Sequence, residues 1–221
     1  MAESRALTHA EARRFYDRVG RAQDTQAFYE REAVAQLCAH AELDRAEHVV
    51  ELGCGTGKLA AELLASWLPP SARYTGFDVS GTMARLAAER TARFGDRARI
   101  ERTDGAPPLP LESRSADRFL ATYVFDLLAL EDIDAMFSEA HRLLAPGGLV
   151  AIAGLTPGES GAARWVSALW STLYRWRPGL TGGCRPLRLR DVLRPPRWEP
   201  RFATVVSAFG VASEVVVAAR R

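Results

Sequence analysis

The spacing of hydrophobic and polar residues changes near residue 47. Residues 1–46 carry apolar side chains at loosely helical spacing among Ala, Arg and Glu, which predicts one or two leading helices. Beyond them, short apolar runs alternate with amphipathic segments, the pattern of βα units around a parallel sheet. The runs predict strands at 48–52, 72–77, 98–102, 118–123 and 149–153, and helices at 58–67, 82–93 and 131–144.

The end of the chain has a different pattern. Residues 203–209 and 214–219 are two β-rich runs around Gly210, which predicts an antiparallel strand pair. The expected fold is therefore α/β, a Rossmann-like, doubly wound, seven-stranded sheet that is mostly parallel and has an antiparallel C-terminal strand pair. The connection 157–200 is long for such a fold and holds four of the five tryptophans. Within it, 162–176 predicts a helix with Trp165 and Trp176 on one face.

Composition excludes several classes of protein. With 48% hydrophobic and 25% charged residues in 221, the chain has the balance of a single globular domain and not of a disordered protein. The sequence shows neither an apolar stretch of about 20 residues nor a signal peptide, and its three cysteines fit free thiols, so we expect a cytoplasmic protein without a metal site. The net charge of +2 conceals a basic stretch from Arg175 to Arg201, where eight arginines face two acids.

The strongest motif follows the first predicted strand. Gly53, Gly55 and Gly57 come directly after an apolar run, and a predicted helix follows them. Glycines in such a turn let a ligand approach the backbone at the N-terminus of a helix. The dinucleotide motif G-x-G-x-x-G would need a third glycine at Lys58, and the phosphate loop G-x-x-x-x-G-K-[ST] also fails at two positions. The sequence therefore predicts a ligand loop of another kind.

An acid two residues before three alternating glycines resembles the first motif of the class I S-adenosylmethionine-dependent methyltransferases, hh-[DE]-h-G-x-G-x-G. Later motifs fit the same family in order: Asp78 ends the second strand, Asp104 follows the third, and Pro146-Gly147-Gly148 precedes the fifth. Small-molecule enzymes of the quinone-biosynthesis type are similar in the Phe15-Tyr16-Asp17 stretch. The resemblance spans roughly residues 15–155 and the final strand pair.

The resemblance implies S-adenosylmethionine as methyl donor and S-adenosylhomocysteine as product. Asp78 is expected to bind both ribose hydroxyls, because two carboxylate oxygens can accept from a vicinal diol; capping of the next helix is the alternative. Asp104 is expected near the adenine, with an Asp-Gly turn as its alternative. The full set expected around the donor comprises Glu51, Gly53, Cys54, Gly55, Gly57, Asp78, Val79, Met83, Asp104, Gly105, Ala106 and Tyr123.

The same resemblance divides the chain by role. We expect a helical lid over 1–46, a donor-binding core over 47–155, an acceptor-side insertion over 156–200 and closing strands over 201–221. The acceptor is expected to be a small or lipid-like molecule. Its pocket is expected to include Tyr16, Phe28, Tyr29, Phe125 and Trp165.

No catalytic base is evident in the sequence. Alignment of a nucleophile with an electrophilic methyl group needs no dedicated base, and where one is needed Tyr123 and Asp126 are the nearest candidates. The four histidines, His9, His40, His48 and His141, are expected to pack or lie at the surface, away from the ligand loops.

Several alternatives stay open at this point. A [DN]-P-P-[YF] motif and a Pro-Cys pair are both absent from the sequence, so a nucleic-acid substrate is not expected. A nicotinamide-dependent oxidoreductase is disfavoured by Lys58, and a donor-binding protein without turnover is a third reading. The apolar face of 162–176 beside the basic stretch also suggests peripheral contact with an anionic membrane. The oligomeric state is not predicted.

Overall fold

Residues His48–Leu52 form an interior strand of a seven-stranded sheet, and all five of them are buried. A strand covered on both faces is expected to be mostly apolar, and Val49, Val50 and Leu52 fit this, whereas His48 and Glu51 are buried polar residues. The computed structural model describes residues 8–158, 184–193 and 195–221. Its strands are β1 (His48–Leu52), β2 (Arg73–Asp78), β3 (Ala98–Arg102), β4 (Ala116–Thr122), β5 (Leu144–Leu155), β6 (Trp198–Ala208) and β7 (Val211–Arg220).

The strand order is β3-β2-β1-β4-β5-β7-β6. Strands β1 to β5 pair in parallel, whereas β7 runs antiparallel between β5 and β6. This arrangement confirms the predicted fold class. Since β1 lies between β2 and β4, the connections on its two sides leave in opposite directions. Ligands of doubly wound sheets bind at this switch point, at the carboxyl ends of the strands.

The helices lie on both faces of the sheet. They are α1 (His9–Val19), α2 (Ala27–His40), α3 (Lys58–Glu62), α4 (Gly81–Thr91) and α5 (Leu130–Leu143). A 3₁₀ turn, Gly20–Gln26, joins α1 to α2. Helix α1 begins with a capping box in which Thr8 and Glu11 satisfy each other's backbone N–H groups. Helix α3 continues as a π-helical segment, Leu63–Trp67, so the predicted helix ends where expected.

Two apolar layers cover the sheet. On one face, Leu37 of α2, Leu63 of the π-helical segment and Tyr74 of β2 belong to one buried apolar cluster. On the other face, α5 packs Ile133 and Leu143 onto the sheet. Helix α2 lies against strands β5, β6 and β7, and Tyr29 in its first turn packs edge-on against Tyr123, so its N-terminal residues reach the carboxyl edge of the sheet. This position becomes important for the site.

Two strands are longer than the sequence indicates. Strand β6 starts at Trp198 and includes Pro200, which an edge strand tolerates because one side of its ladder is unpaired. Strand β5 includes the Pro-Gly-Gly turn, since Leu144 still pairs with Ala116 across a register shift. The predicted helix 162–176 lies outside the described residues. In the described part of the chain, no helix is long and apolar enough to span a bilayer.

Candidate functional site

A cavity of about 530 Å³ opens at the carboxyl edge of β1, β2 and β4. Its size falls within the usual range of small-molecule pockets, about 300–1,000 Å³. The loops after these three strands form its floor, and side chains of α1 and α2 form its roof. The sheet's switch point and the pocket therefore coincide, as the doubly wound topology requires.

The glycine loop forms one wall of this cavity. Gly55 has φ +53°, and a Cβ placed on it would meet no atom within 4 Å, so its Cα faces open space. Its N–H donates to Oδ2 of Asp78 at 2.9 Å. Gly57 has φ +73°, and a Cβ there would lie 2.7 Å from the Cα of Ala87 in α4. Gly55 thus leaves room for a ligand, while Gly57 allows α4 to approach the loop.

Asp78 ends β2 beside the loop and is only 7% exposed. Its two carboxylate oxygens accept from the N–H groups of Gly55 and Ser80, each at 2.9 Å. Burial raises the pKa of Asp78, although those hydrogen bonds oppose the shift. The cap of α4 is Ser80, whose Oγ accepts from the Met83 N–H at 3.1 Å. Capping is therefore not the role of Asp78, and its carboxylate lines the cavity.

Glu51 lies on the floor beneath the glycines and is 1% exposed. The hydroxyl of Tyr74 donates to its Oε2 at 2.5 Å. Burial raises the pKa of Glu51 to about 7, and the bond from Tyr74 acts in the opposite direction. One Glu51 oxygen is thereby held against the protein interior.

Helix α1 covers the cavity with His9, Ala12 and Tyr16. The ring of His9 packs over Gly105, and its Nε2 lies 3.5 Å from the carboxylate of Asp132. The expectation that all four histidines lie away from the ligand loops is therefore wrong for His9. The other side of α1 is bonded to the start of α4: Asp17 accepts from the Ser80 hydroxyl at 2.6 Å and from the Thr82 N–H at 3.2 Å.

The turn after α1 is bonded to the glycine loop by a network of three side chains. Thr56 donates to Oδ1 of Asp24 at 2.6 Å, and Arg90 of α4 donates to Oδ2 at 2.9 Å. Burial alone would raise the pKa of Asp24, but the hydrogen bonds from Arg90 and Thr56 outweigh it and lower that pKa. The roof of the cavity is therefore connected to its floor by charge-assisted hydrogen bonds.

Most residues predicted to contact the donor line the cavity. These are Glu51, Gly53, Cys54, Gly55, Asp78, Val79, Met83, Gly105 and Tyr123. Gly57, Asp104 and Ala106 are not part of its wall. Asp104 is exposed and accepts from the Ala106 N–H at 3.0 Å, the alternative turn geometry, in a groove that adjoins the cavity beside His9.

The predicted acceptor residues are dispersed. Of the four that the structure describes, only Tyr16 lines the cavity. Phe125 is 2% exposed and stacks on Phe137 in the core, and Phe28 is 58% exposed on the surface. Tyr29 is buried edge-on against Tyr123, behind the cavity wall. Trp165 lies outside the described residues. Phe28 and Tyr29, which are neighbours in sequence, thus point in different directions, and the sequence pattern of aromatic residues does not show which of them faces a cavity.

Neither candidate base presents a free proton acceptor to the cavity. Tyr123 lines it, but its hydroxyl donates to Ser213 at 2.9 Å and burial raises its pKa. Asp126 is fully buried and is not part of the wall. Its Oδ2 accepts weakly from the Leu155 N–H at 3.4 Å, and its Oδ1 has no hydrogen-bond partner. Burial raises the pKa of Asp126 to about 7.

We expect Asp126→Asn to stabilise the protein at pH 8 by a few degrees in Tm and to change it little at pH 4. The folded-state pKa lies above the unfolded value of about 4, so the stability associated with this carboxyl is complete below pH 4 and is lost as pH rises through 7. Thermal unfolding at both pH values, with the exposed Asp96→Asn as control, measures the effect. An equal change in Tm at both pH values would contradict a buried, titrating carboxyl.

Comparison with known proteins connects this geometry to a family. Residues 49–148 match the family described as a methyltransferase domain. The chain is 32% identical over 152 residues to a malonyl-[acyl-carrier protein] O-methyltransferase of Marinomonas sp., covering 67% of this chain and 52% of the relative. It is 35% identical over 117 residues to a trans-aconitate 2-methyltransferase of Paracidovorax citrulli, covering 53% and 42%. The chain thus spans about half the length of these curated relatives.

The fold is shared more widely than the sequence. The crystal structure of the [4+2]-cyclase SpnF superposes with a TM-score of 0.74 at 16% identity and covers 97% of both chains. At that identity the likeness concerns the fold alone. The match over 49–148 includes the glycine loop, Asp78 and the Pro-Gly-Gly turn from which the resemblance was inferred. The chain belongs to the class I S-adenosylmethionine-dependent methyltransferase family.

Proposed function

We propose that the protein transfers a methyl group from S-adenosylmethionine to a small or lipid-like acceptor. The observation that supports this most directly is the open face of Gly55 beside the buried carboxylate of Asp78, at the cavity's edge. An acid beside a glycine cradle suits a neutral ribose diol next to a backbone that a ligand touches closely.

The residues present fit such a donor. Each oxygen of Asp78 already accepts one backbone N–H and has a second lone pair for a ribose hydroxyl. Val79 and Met83 offer apolar surface on the adenine side, and His9 closes that side from α1. The donor supplies a methyl group that is electrophilic because it is bonded to a positively charged sulfur.

The protein's contribution is then alignment and the exclusion of water. Helix α1 and the turn after it cover the cavity, and Asp17 and Asp24 hold them to α4 and the glycine loop. Holding two reactants in line contributes on the order of 7–11 kcal/mol to such a reaction. A closed roof also prevents water from competing with the acceptor.

The part of the cavity beyond the glycine loop supports an apolar acceptor. Val34, Val124, Leu127 and Leu128 line it together with the ring of Tyr123. The two relatives above are named for malonyl and trans-aconitate acceptors, both of which carry carboxylates, and they provide the first probes. Four expectations stay predictions from the sequence: the cytoplasmic location, the absence of a metal, the absence of a nucleic-acid partner and the contact with a membrane. The membrane contact concerns residues that lie mainly outside the described part of the chain.

Calorimetry with S-adenosylhomocysteine and with NADH tests the donor. We expect the first to bind and the second not to, because Lys58 stands where the dinucleotide motif needs glycine. Release of S-adenosylhomocysteine from S-adenosylmethionine is then measured with a panel of phenols, amines, trans-aconitate and malonyl thioesters. Tight binding of NADH alone would refute the proposal, and donor binding without turnover of any compound would favour a binding protein.

A further inference from the structure

A carboxyl group that the sequence did not single out faces the cavity from α2. Glu30 lies in the first turn of this helix, is half-buried, and lines the same cavity as Gly55 and Tyr123. Its neighbour Tyr29 points inward against Tyr123, so the start of α2 lies at the end of β4. Glu30 therefore reaches the space where β4 borders the cavity.

The other cavity acids are engaged or lie elsewhere. Asp78 bonds to the glycine loop, and Glu51 is held by Tyr74. Asp24 accepts from both Thr56 and Arg90. Glu62 is exposed at the α3 side of the cavity, and Asp126 lies behind the wall. Among the described residues this leaves Glu30 and Glu62 as the carboxyls of the cavity wall that no guanidinium and no backbone N–H holds in place, and of the two only Glu30 is half-buried.

Several ionisable groups from neighbouring elements interact with Glu30, either shifting its pKa or being shifted by its charge. They are Tyr29 on its own helix, Asp24 of the preceding turn, Lys58 at the start of α3, Tyr123 and Asp126 at the end of β4, and Cys184. Burial raises the pKa of Glu30 to about 7, a hydrogen bond from Tyr29 and the charge of Lys58 oppose the rise, and Asp24 adds to it. A carboxyl in this state accepts a proton readily at neutral pH.

We propose that Glu30 is the catalytic base of the acceptor site and that the acceptor is an apolar molecule bearing a hydroxyl or amino group. As the acceptor's oxygen or nitrogen forms its bond to the methyl carbon, the S–CH₃ bond breaks and its electron pair stays on sulfur. The acceptor's proton passes to the Glu30 carboxylate and later to water. The donor becomes neutral S-adenosylhomocysteine, so atoms and charge balance.

This inference rests on the proposed function and narrows its substrate class. A carboxylate acceptor has no proton to lose at neutral pH and would face the charge of Glu30 in a partly dry cavity, where like charges repel strongly. A hydroxyl or amino group gains from the same carboxylate. The proposal therefore predicts acceptors unlike the malonyl and trans-aconitate compounds of the two relatives.

Proton release on donor binding tests the position of Glu30 without any acceptor. At pH 7 about half of the Glu30 side chains hold a proton, and a sulfonium charge in the cavity should drive it off. We expect S-adenosylmethionine to release up to about half a proton more than S-adenosylhomocysteine, by calorimetry in buffers of different ionisation enthalpy. The difference should vanish in Glu30→Gln and persist in Glu32→Gln, an exposed residue of the same helix.

The outcomes separate the two proposals. If neither donor nor product binds, the proposed function fails. If both bind, equal proton release by donor and product in the native protein overturns the inference. A difference in proton release that persists in Glu30→Gln also overturns it, because the proton would then come from Asp126 or Glu51. With an acceptor found in the turnover panel, Glu30→Gln should lower kcat about 100-fold and remove the rise of rate through pH 7, with Glu30→Asp restoring part of it.

Discussion

Asp78→Ala is expected to weaken the binding of S-adenosylhomocysteine at least 100-fold while the protein stays folded. Two ribose hydroxyls that donate to one buried carboxylate each contribute about 1.5–3 kcal/mol, since hydrogen bonds to charged groups are stronger than neutral ones. A loss of about 3 kcal/mol corresponds to a factor of more than 100 in Kd. The variant also removes the acceptor of the Gly55 N–H, which frees the glycine loop on the donor side.

Calorimetric titration with S-adenosylhomocysteine measures this loss. Asp96→Ala serves as the matched control, because it removes an exposed acid from the turn before β3 and leaves the cavity unchanged. Circular dichroism and the unfolding midpoint show whether the variant is folded. If folded Asp78→Ala binds with native affinity, the carboxylate does not contact the ribose and the donor lies differently in the cavity.

Gly57→Ala is expected to lower mainly the stability of the protein, whereas Gly55→Ala is expected to lower mainly its affinity for the donor. An alanine at 57 would place its Cβ 2.7 Å from the backbone Cα of Ala87, which cannot move without shifting α4, and φ is positive there. Strain and overpacking together cost about 3–5 kcal/mol, a large part of the 5–15 kcal/mol that stabilises an ordinary domain. An alanine at 55 meets no atom within 4 Å, so only the conformational cost of about 1–2 kcal/mol applies.

The two variants thus separate stability from binding. Denaturant unfolding should show a large loss for Gly57→Ala and a small one for Gly55→Ala. The methyl group of Gly55→Ala projects into the cavity, so we expect its affinity for S-adenosylhomocysteine to fall at least tenfold. Gly147→Ala is the control for positive φ without a ligand, since its Cβ also meets nothing within 4 Å. A Gly55→Ala protein with native affinity would place the donor away from the loop.

The positions of the parallel strands follow largely from local sequence. Strand β1 was predicted at its observed bounds because a short, mostly apolar run directly before a glycine turn stands out from its surroundings. The start of β6 was not predicted, because Trp198 and Pro200 belong to the strand only through their pairing with β7. Such pairing is a tertiary effect that the residues themselves do not encode locally.

The donor side of the site was likewise predictable, because its residues come in short motifs. The glycines lie in the turn between β1 and α3, and Asp78 lies at the end of β2 before α4, so each has a fixed position within one strand-turn-helix unit. Glu30 and His9 were missed because they reach the cavity from helices whose packing on the sheet sets their direction. The one local signal for Glu30 was its place in the first turn of α2, beside two aromatic residues. Acids are common at that place because they interact favourably with the helix dipole, so the signal does not indicate a binding site.

Helix α1 roofs the cavity without a single fully buried side chain. Its position depends on the hydrogen bonds of Asp17 and Asp24, whose pKa values are lowered in the folded protein. These two carboxylates therefore stabilise the closed position above their unfolded pKa, and this stabilisation is lost as pH falls through their folded pKa values. Opening this segment therefore costs much less than unfolding the sheet. We therefore expect donor and product to exchange through local opening of this segment, and the lifetime of the bound complex to depend on ionic strength and acidity more than on the core of the protein.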